Sequence, residues 1–262
     1  MNLLPKHERY LDAFQTFLFL KPEHLRQLFG RLNERTLRWD LMKLMNAGYL
    51  SRTRNNKDEE YTYYPPHIRE KSPLTLQHTN EITWAQVLFH TGAGQRGFPV
   101  LACERRPSRI EFAASVRNDE GALKPRQCVP DFFSGIKHVG RPEGRDEGYF
   151  FWEITISKPG QHWKKENDII QKCEMYNAYF ESGDFADRLQ KELRLEVGNF
   201  RVVITFPTEL RARNFVALFR KKGVAYPGRF WVTWQDAYRA DMYGPIFLSP
   251  KDDVLHSFNH TV

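Results

Sequence analysis

The sequence has little cysteine and no long apolar run. Its 262 residues include three Cys residues, Cys103, Cys128 and Cys173, and none belongs to a CxxC pair. An odd number of widely spaced Cys residues argues against a disulfide framework and against a zinc site, so we expect a reducing, cytoplasmic environment. The longest apolar runs, such as YFFW at 149–152, are far shorter than the roughly 20 residues of a membrane helix, so we expect no membrane association.

The motifs of several large enzyme classes are also missing. GAGQRG at 92–97 has the wrong spacing for a phosphate-binding loop and is not followed by a Lys-Ser or Lys-Thr pair. The His residues are scattered and form no HExxH pattern. These absences argue against P-loop nucleotide hydrolases, dinucleotide-dependent enzymes and zinc peptidases.

Aromatic and basic residues are plentiful. Hydrophobic residues make up 41% of the sequence and aromatic residues 14%, which is enough for a well-packed core. The 39 Lys and Arg residues outnumber the 32 Asp and Glu residues, giving a formal charge of +7. A positive balance favours polyanionic partners through electrostatic attraction and counterion release.

Residues 7–64 show three helical patterns followed by a hairpin pattern. HERYLDAFQTFLFL has apolar residues at helical spacing, KPEHLRQLFG has Pro in its first turn and Gly at its end, and NERTLRWDLMKLMNAG begins with an Asn cap. YLSRT and EYTYY then flank the polar turn RNNKDE. This order is typical of a winged helix-turn-helix, which we predict for residues 1–66.

A winged helix-turn-helix places its third helix in the major groove of double-stranded DNA and its hairpin against the backbone. Such modules also serve in dimerisation or protein docking, so a homodimer remains open. Trp39 is expected to pack under the hairpin, with stacking on a sugar as the alternative. The basic and polar residues of the third helix and hairpin are the predicted DNA contacts: Arg35, Thr36, Arg38, Lys43, Arg52, Arg54 and Lys57.

PPHIREKSPLTLQ at 65–77 is rich in Pro and polar residues, so residues 67–77 are the predicted linker and residues 78–262 are the predicted second domain. Its patterns read helix, three strands, helix, strand, helix, strand. The predicted strands are RIEFAASVR at 109–117, CVPDFFSG at 128–135, YFFWEITIS at 149–157, FRVVITFP at 200–207 and RFWVTW at 229–234.

Asp131 and Glu153 are the candidate site residues of this domain. A Glu among apolar residues is costly to bury unless a cation meets it. Carboxylates are the ligands that Mg²⁺ prefers, and a Mg²⁺ ion beside a phosphodiester activates water and stabilises the leaving oxygen. We expect Mg²⁺ only if this acidic pair is functional.

The element order and the acidic pair resemble the restriction-endonuclease-like fold of PD-(D/E)xK type, with a mixed central sheet. The resemblance implies an acidic residue on the second strand, a Glu on the third and often a further acid on the preceding helix, which gives Glu81, Asp131 and Glu153 as metal ligands. The fold class expected for the whole chain is therefore α/β or α+β, with a winged helix-turn-helix followed by a nuclease-like domain. The nuclease-like domain is degenerate if its active-site motif is incomplete.

The Lys that this fold carries two residues after the Glu is absent, and Thr155 stands in its place. Residues two apart on a strand share a face, so Lys158, five residues after Glu153, would point to the opposite face of the strand. Lys164, Lys165 and Lys172 on the following helix are the candidates for a migrated lysine. With Asp131 and Glu153, we take Lys165 as the catalytic group.

The motifs VPDFF, FFWEITISK, KCEMYNAYF and FRVVITFPTELRARNF, together with the N-terminal module, resemble the replication-relaxation family of plasmid and mobile-element proteins. The resemblance implies a DNA-binding protein that acts in replication, mobilisation or their control, with other replication, mobilisation or transposition proteins as partners. An active Mg²⁺-dependent endonuclease is the alternative, and a winged-helix transcription regulator is a further one.

Overall fold

The computed structural model describes residues 3–30, 32–69, 72–117, 122–156 and 162–260, and the side chains in these ranges apart from those of 73, 74, 117, 162–167 and 260. The chain has a mixed α+β fold and divides into two compact units, Met1–Thr91 and Gly92–Val262. No helix within the described ranges combines the length and the apolar character needed to cross a bilayer.

Three helices and a short hairpin begin the first unit, in the predicted order. Pro22 opens the second helix, Gly30 with φ of 79° follows its end, and the Asn33 side chain caps the third helix by accepting from the Thr36 N–H at 3.0 Å. A bridge between Leu20 and Tyr63 ties the hairpin to the helices. The elements are α1 (Pro5–Phe17), α2 (Pro22–Phe29), α3 (Glu34–Asn46), β1 (Ser51–Thr53) and β2 (Thr62–Tyr64).

The core of this unit follows the apolar stripe of α3. Leu37, Leu41 and Leu44 recur at helical spacing and are fully buried, as is Leu25 of α2. The opposite side of α3 is therefore left to solvent.

The next helix, α4 (Pro73–Gln95), begins before the predicted domain start at 78, so the last part of the predicted linker is helical. Most of α4 belongs to the first unit, which ends at Thr91 and not at 66. The rings of His24 and Trp84 lie 4.4 Å apart, and the Thr62 hydroxyl lies 3.4 Å from Asn80 Oδ1. These contacts explain why the helix packs with the three-helix module.

The second unit contains a seven-stranded mixed sheet in the order β11-β10-β9-β8-β7-β6-β3 and a separate two-stranded sheet formed by β4 and β5. Its elements are β3 (Val100–Glu104), α5 (Pro107–Ile110), β4 (Phe112–Arg117), β5 (Leu123–Cys128), β6 (Phe132–Lys137), β7 (Glu147–Ile154), α6 (His162–Ser182), α7 (Asp184–Leu193), β8 (Arg201–Phe206), α8 (Glu209–Lys222), β9 (Phe230–Trp234), α9 (Gln235–Asp241), β10 (Phe247–Leu248) and β11 (Leu255–His256).

β7 is an interior strand of the large sheet, with β6 antiparallel on one side and β8 parallel on the other. β9 continues the parallel set beyond β8. Parallel neighbours need a crossover, which α6 and α7 provide between β7 and β8, and α8 provides between β8 and β9. β7 is buried after its first residue, which accounts for its nearly continuous apolar sequence.

Two predicted strands differ from the observed ones. The segment 109–117 was expected to be the first strand of the central sheet, but β4 pairs with β5 as a hairpin, and the strand beside β6 is the unpredicted β3. The predicted strand at 128–135 is interrupted at 129–131 by Pro130, which has no N–H to donate. Asp131 therefore lies immediately before β6 and not within a strand.

Candidate functional site

The pairing of β6 with β7 brings Asp131 beside the end of β7. The Asp131 N–H donates to the Trp152 carbonyl at 3.0 Å, and Asp131 Oδ2 accepts from the Ile154 N–H at 2.6 Å. These two bonds span Glu153, so the Asp131 side chain is fixed next to the residue that carries the second carboxylate.

Glu153 is 5% exposed and has a partner at each of its carboxylate oxygens. Lys172 Nζ lies 2.5 Å from Glu153 Oε2, and the Tyr176 hydroxyl donates to Oε1 at 2.7 Å. Lys172 and Tyr176 are four residues apart on α6, so they lie on one face of the helix. The Lys172 side chain remains 37% exposed, which leaves the cluster accessible from the lysine side.

The charges of this cluster affect one another strongly. Burial raises the pKa of Glu153, and the Asp131 charge adds to the effect, whereas the Lys172 charge and the Tyr176 hydrogen bond oppose it. Burial alone would lower the pKa of Lys172, but the opposite charges of Glu153 and Asp131 raise it overall. Lys172 and Glu153 therefore form an ion pair in which the protonated form of Lys172 is stabilised.

Two further groups border the cluster. Burial, with the Glu153 charge beside it, raises the pKa of Cys128 to about 12, so this thiol is not a nucleophile at neutral pH. Burial lowers the pKa of Arg105 to about 10, and the opposite charge of Asp131 limits that fall. Arg105 remains charged near pH 7 and adds a second cation to the carboxylate cluster.

The structure brings one of the predicted lysines to the site. Thr155, at the position where the Lys was expected, donates its hydroxyl to the Thr205 carbonyl at 2.7 Å and so bonds to the neighbouring strand. Lys172, one of three candidates on the following helix, contacts Glu153, whereas the side chain of Lys165 lies outside the described residues. Helical spacing does not separate Lys172 from Lys165, seven residues earlier in the sequence, so no sequence signal singled out Lys172.

The third predicted metal ligand lies elsewhere in the chain. Glu81 is on α4 in the first unit, whereas Asp131 and Glu153 belong to the second. Among the described side chains, no three His, Cys, Asp or Glu residues are grouped so as to hold a metal ion. Asp131 and Glu153 supply the oxygen chemistry that Mg²⁺ requires, but a cation at Glu153 Oε2 would have to replace the Lys172 ammonium.

The solvent face of α3 is the second candidate site. Arg35, Thr36, Arg38 and Lys43 are all exposed, but two of them have structural partners. The Thr36 hydroxyl lies 3.3 Å from the capping Asn33 side chain. Arg38 forms ion pairs with Glu34 at 2.9 Å and with Glu60 at 2.7 Å, so its charge is largely neutralised.

Trp39 does not pack under the hairpin as predicted. It is 61% exposed, and Lys43 Nζ lies 5.5 Å from the centre of its ring. The reason is helical geometry, because Trp39 follows the buried Leu37 by two residues and so projects to the opposite side of α3. Trp39 lines an open groove of about 500 Å³ together with Arg35, Thr36, Arg38 and Met42.

The basic residues of the hairpin are held by an aromatic ring. The Arg52 and Arg54 guanidinium groups lie 3.9 and 4.7 Å from the centre of the Tyr61 ring, and Arg54 also donates to the Lys57 carbonyl at 2.7 Å. Cation–π contacts of this kind restrict the side chains and leave their charges available. The hairpin thus presents the predicted cations Arg52, Arg54 and Lys57 beside the groove on α3.

No protein-family model matches the chain, and no curated protein matches it either.

Proposed function

We propose that the chain binds double-stranded DNA, with α1–α3 and the β1–β2 hairpin acting as a winged helix-turn-helix. The observation that carries the proposal is the division of α3 into two faces. Leu37, Leu41 and Leu44 fill the core, while Arg35 and Lys43 stand in solvent. An exposed helix face with basic side chains is suited to the major groove of a duplex.

The hairpin supports the same proposal. Arg52 and Arg54, ordered on Tyr61, are suited to contacts with phosphate oxygens, which position a protein on DNA without reading its sequence. We propose α3 for groove contacts and the hairpin for backbone contacts.

Replacing Arg35 and Lys43 together with Ala tests the proposal. The double variant is expected to bind a labelled duplex at least about tenfold more weakly, because groove contacts are lost. Arg9→Ala with Arg69→Ala is the control, because it removes two exposed charges from the same unit outside α3 and the hairpin. Equal losses in both variants would leave α3 with no special role.

The biological setting is proposed on the resemblance alone. The replication-relaxation family implies action on a plasmid or mobile element, in replication, mobilisation or their control. A defined operator sequence, no response to metal and a dimer in solution would instead favour a transcription regulator.

A second candidate function, Mg²⁺-dependent DNA cleavage, is favoured by the two hydrogen bonds that hold Asp131 beside Glu153. The strand order β8-β7-β6-β3, with Asp131 before β6 and Glu153 on β7, is consistent with a restriction-endonuclease-like domain. In this proposal Asp131 and Glu153 would hold Mg²⁺ once the Lys172 ammonium has moved from Glu153 Oε2, and the ion would supply water activation and stabilisation of the leaving oxygen. Lys172 supplies the positive charge that Thr155 lacks.

Nicking of supercoiled plasmid with Mg²⁺, Mn²⁺ or EDTA tests this second function. Cleavage should need metal and should be lost in Asp131→Asn, Glu153→Gln and Lys172→Ala, while Thr155→Val should retain it. Absence of cleavage in every condition, with duplex binding intact, would leave DNA binding as the function of the chain.

A further inference from the structure

We propose that Lys124 and Arg126 on β5 form a second nucleic-acid surface, which binds a phosphodiester backbone and leads it to the carboxylate cluster around Glu153. This inference rests on the proposal that the chain binds DNA and extends that binding to the second unit. It depends on the orientation of β5, on its exposure and on its connection to the cluster.

The register of the hairpin fixes the orientation. In the pairing of β4 with β5, Ala114 lies opposite Arg126 and Val116 lies opposite Lys124. Directly opposed residues of an antiparallel pair project from the same face. Because Ala114 and Val116 are buried, Lys124 and Arg126 lie on the face of the hairpin that is turned to the core.

Lys124 and Arg126 are nevertheless exposed, and within β5 only Cys128 is buried. Lys124, Arg126 and Cys128 alternate along the strand, so they form one row at intervals of about 7 Å. The row begins in solvent at Lys124 and ends in the core at Cys128.

The row ends at the carboxylate cluster. The Cys128 thiol is within reach of the cluster, because it interacts with the Tyr176 hydroxyl and with the charges of Glu153 and Lys172. Arg126 Nη1 donates to Gln171 Oε1 at 2.5 Å, and Gln171 is the neighbour of Lys172 on α6. The exposed cations of β5 and the half-exposed Lys172 therefore follow one another along a continuous path.

The charge of this path suits a polyanion. Neither β4 nor β5 contains an acidic residue, and Glu111, just before β4, bonds to Gln127 on the opposite face of β5. On α6, Asp168 lies one turn before Lys172 and the exposed Glu174 lies two residues after it, so acidic residues border the path on the helix side. Evenly spaced cations on an extended strand are suited to the regular phosphates of a nucleic-acid backbone.

Edge strands also carry Lys and Pro simply to prevent pairing with other chains. That explanation requires only charge at β5 and predicts no effect on nucleic-acid affinity. The two explanations therefore differ in whether removing the charges of Lys124 and Arg126 weakens binding to nucleic acid.

The experiment measures binding of the full-length chain to a fluorescein-labelled 30-base-pair duplex, and to one of its single strands, at several NaCl concentrations. Lys124→Gln with Arg126→Gln is expected to weaken binding and to lower the salt slope by about 2 for the duplex or about 1.4 for the single strand. A larger loss of affinity for the duplex or for the single strand identifies the form of DNA that β5 binds. Lys221→Gln with Lys222→Gln, two exposed charges at the end of α8, is the control and should leave the slope unchanged.

The outcomes separate this inference from the proposed function. If the Arg35 and Lys43 variant loses affinity while the β5 variant binds both probes like the unaltered chain, the inference fails and the proposed function stands. If the unaltered chain binds neither probe, both fail. The variants should show unchanged thermal melting, which is expected because the altered side chains are exposed.

Discussion

At the scale of single residues, His138 is a buried base whose environment favours its neutral form. It is 3% exposed, and its ring packs against Phe98 with centroids 4.9 Å apart. Burial and the nearby Arg141 charge lower its pKa to about 4, and Asp146 opposes the fall. The unfolded chain therefore binds more protons than the folded chain between the ordinary pKa of about 6.5 and pH 4.

This difference predicts a loss of stability in mild acid. The contribution of His138 is complete above about pH 6.5 and is lost as the pH falls toward 4, with a limit of about 3 kcal/mol. Urea unfolding at pH 7, 6, 5 and 4 should show a smaller pH dependence for His138→Gln than for the unaltered chain. His67→Gln, at an exposed position, should match the unaltered chain, and equal curves for all three proteins would contradict the prediction.

The pair formed by Glu153 and Lys172 predicts a different pattern. Lys172→Met leaves a buried carboxylate without its cation, so we expect a loss of about 3 kcal/mol in the free energy of unfolding near neutral pH. The loss should shrink in acid, because burial already raises the pKa of Glu153 and a protonated carboxyl needs no cation.

A double-mutant cycle checks this prediction. Glu153→Gln combined with Lys172→Met should recover part of the loss, since no charge is then left unpaired. Lys222→Met at an exposed position provides the control. Additive effects of the two changes would mean that the 2.5 Å contact contributes nothing to stability.

At the scale of elements, the end of α4 contains a matched pair of glycines. A Cβ at Gly92 would lie 2.6 and 2.7 Å from ring atoms of the fully buried Tyr243, whereas a Cβ at Gly94 would meet nothing within 4 Å. Gly92→Ala should therefore destabilise the chain by about 1–3 kcal/mol through overpacking. Gly94→Ala should stabilise it by about 0.5 kcal/mol, because Ala is the better helix former. Chemical denaturation of both variants measures the difference, and a loss of stability in Gly94→Ala would contradict the packing argument.

Local signals predicted the helices better than the strand partners. Asn33 caps α3 where predicted because the cap and its apolar stripe lie within one short segment. Phe112, Ala114 and Val116 alternate as a strand should, but alternation does not identify the partner of a strand, and β4 pairs with β5 outside the large sheet. β3 has no strong alternation and was missed.

The candidate site was predictable in part: its acidic pair could be found from the sequence, and its lysine could not. Asp131 and Glu153 could be paired from sequence because Asp131 stands beside one apolar run and Glu153 lies within another. Lys165 and Lys172 are seven residues apart in sequence, so helical spacing does not separate them; the choice depends on which turn of α6 packs beside Glu153, and tertiary packing decides this. The exposure of Trp39 could have been found by counting two residues from Leu37, since the stripe of α3 already identified its buried face.

At the scale of the whole molecule, the aromatic core determines behaviour at high pH. Burial raises the pKa of several tyrosines above their ordinary value of 10.0, in the first unit at Tyr10 and Tyr63 and in the second at Tyr176 and Tyr243. Burial likewise raises the pKa of Tyr179 to about 12, although the Arg188 charge opposes the rise. Above pH 10 these phenols therefore hold more protons in the folded chain than in the unfolded chain, so their contribution to the free energy of unfolding falls as the pH rises.

Tyr179 allows this alkaline loss to be measured at one residue. Its ring stacks on Phe112 at 4.0 Å, a contact that Tyr179→Phe preserves while removing the titrating hydroxyl. The contribution of Tyr179 is complete below about pH 10 and is lost as the pH rises toward 12, with a limit of about 3 kcal/mol. Denaturant unfolding at pH 9, 10 and 11 should show a shallower decline for Tyr179→Phe than for the unaltered chain, and Tyr49→Phe, at an exposed position, should leave the decline unchanged. A decline of the same steepness in all three proteins would mean that the stability lost in alkali comes from groups other than the buried Tyr179 phenol.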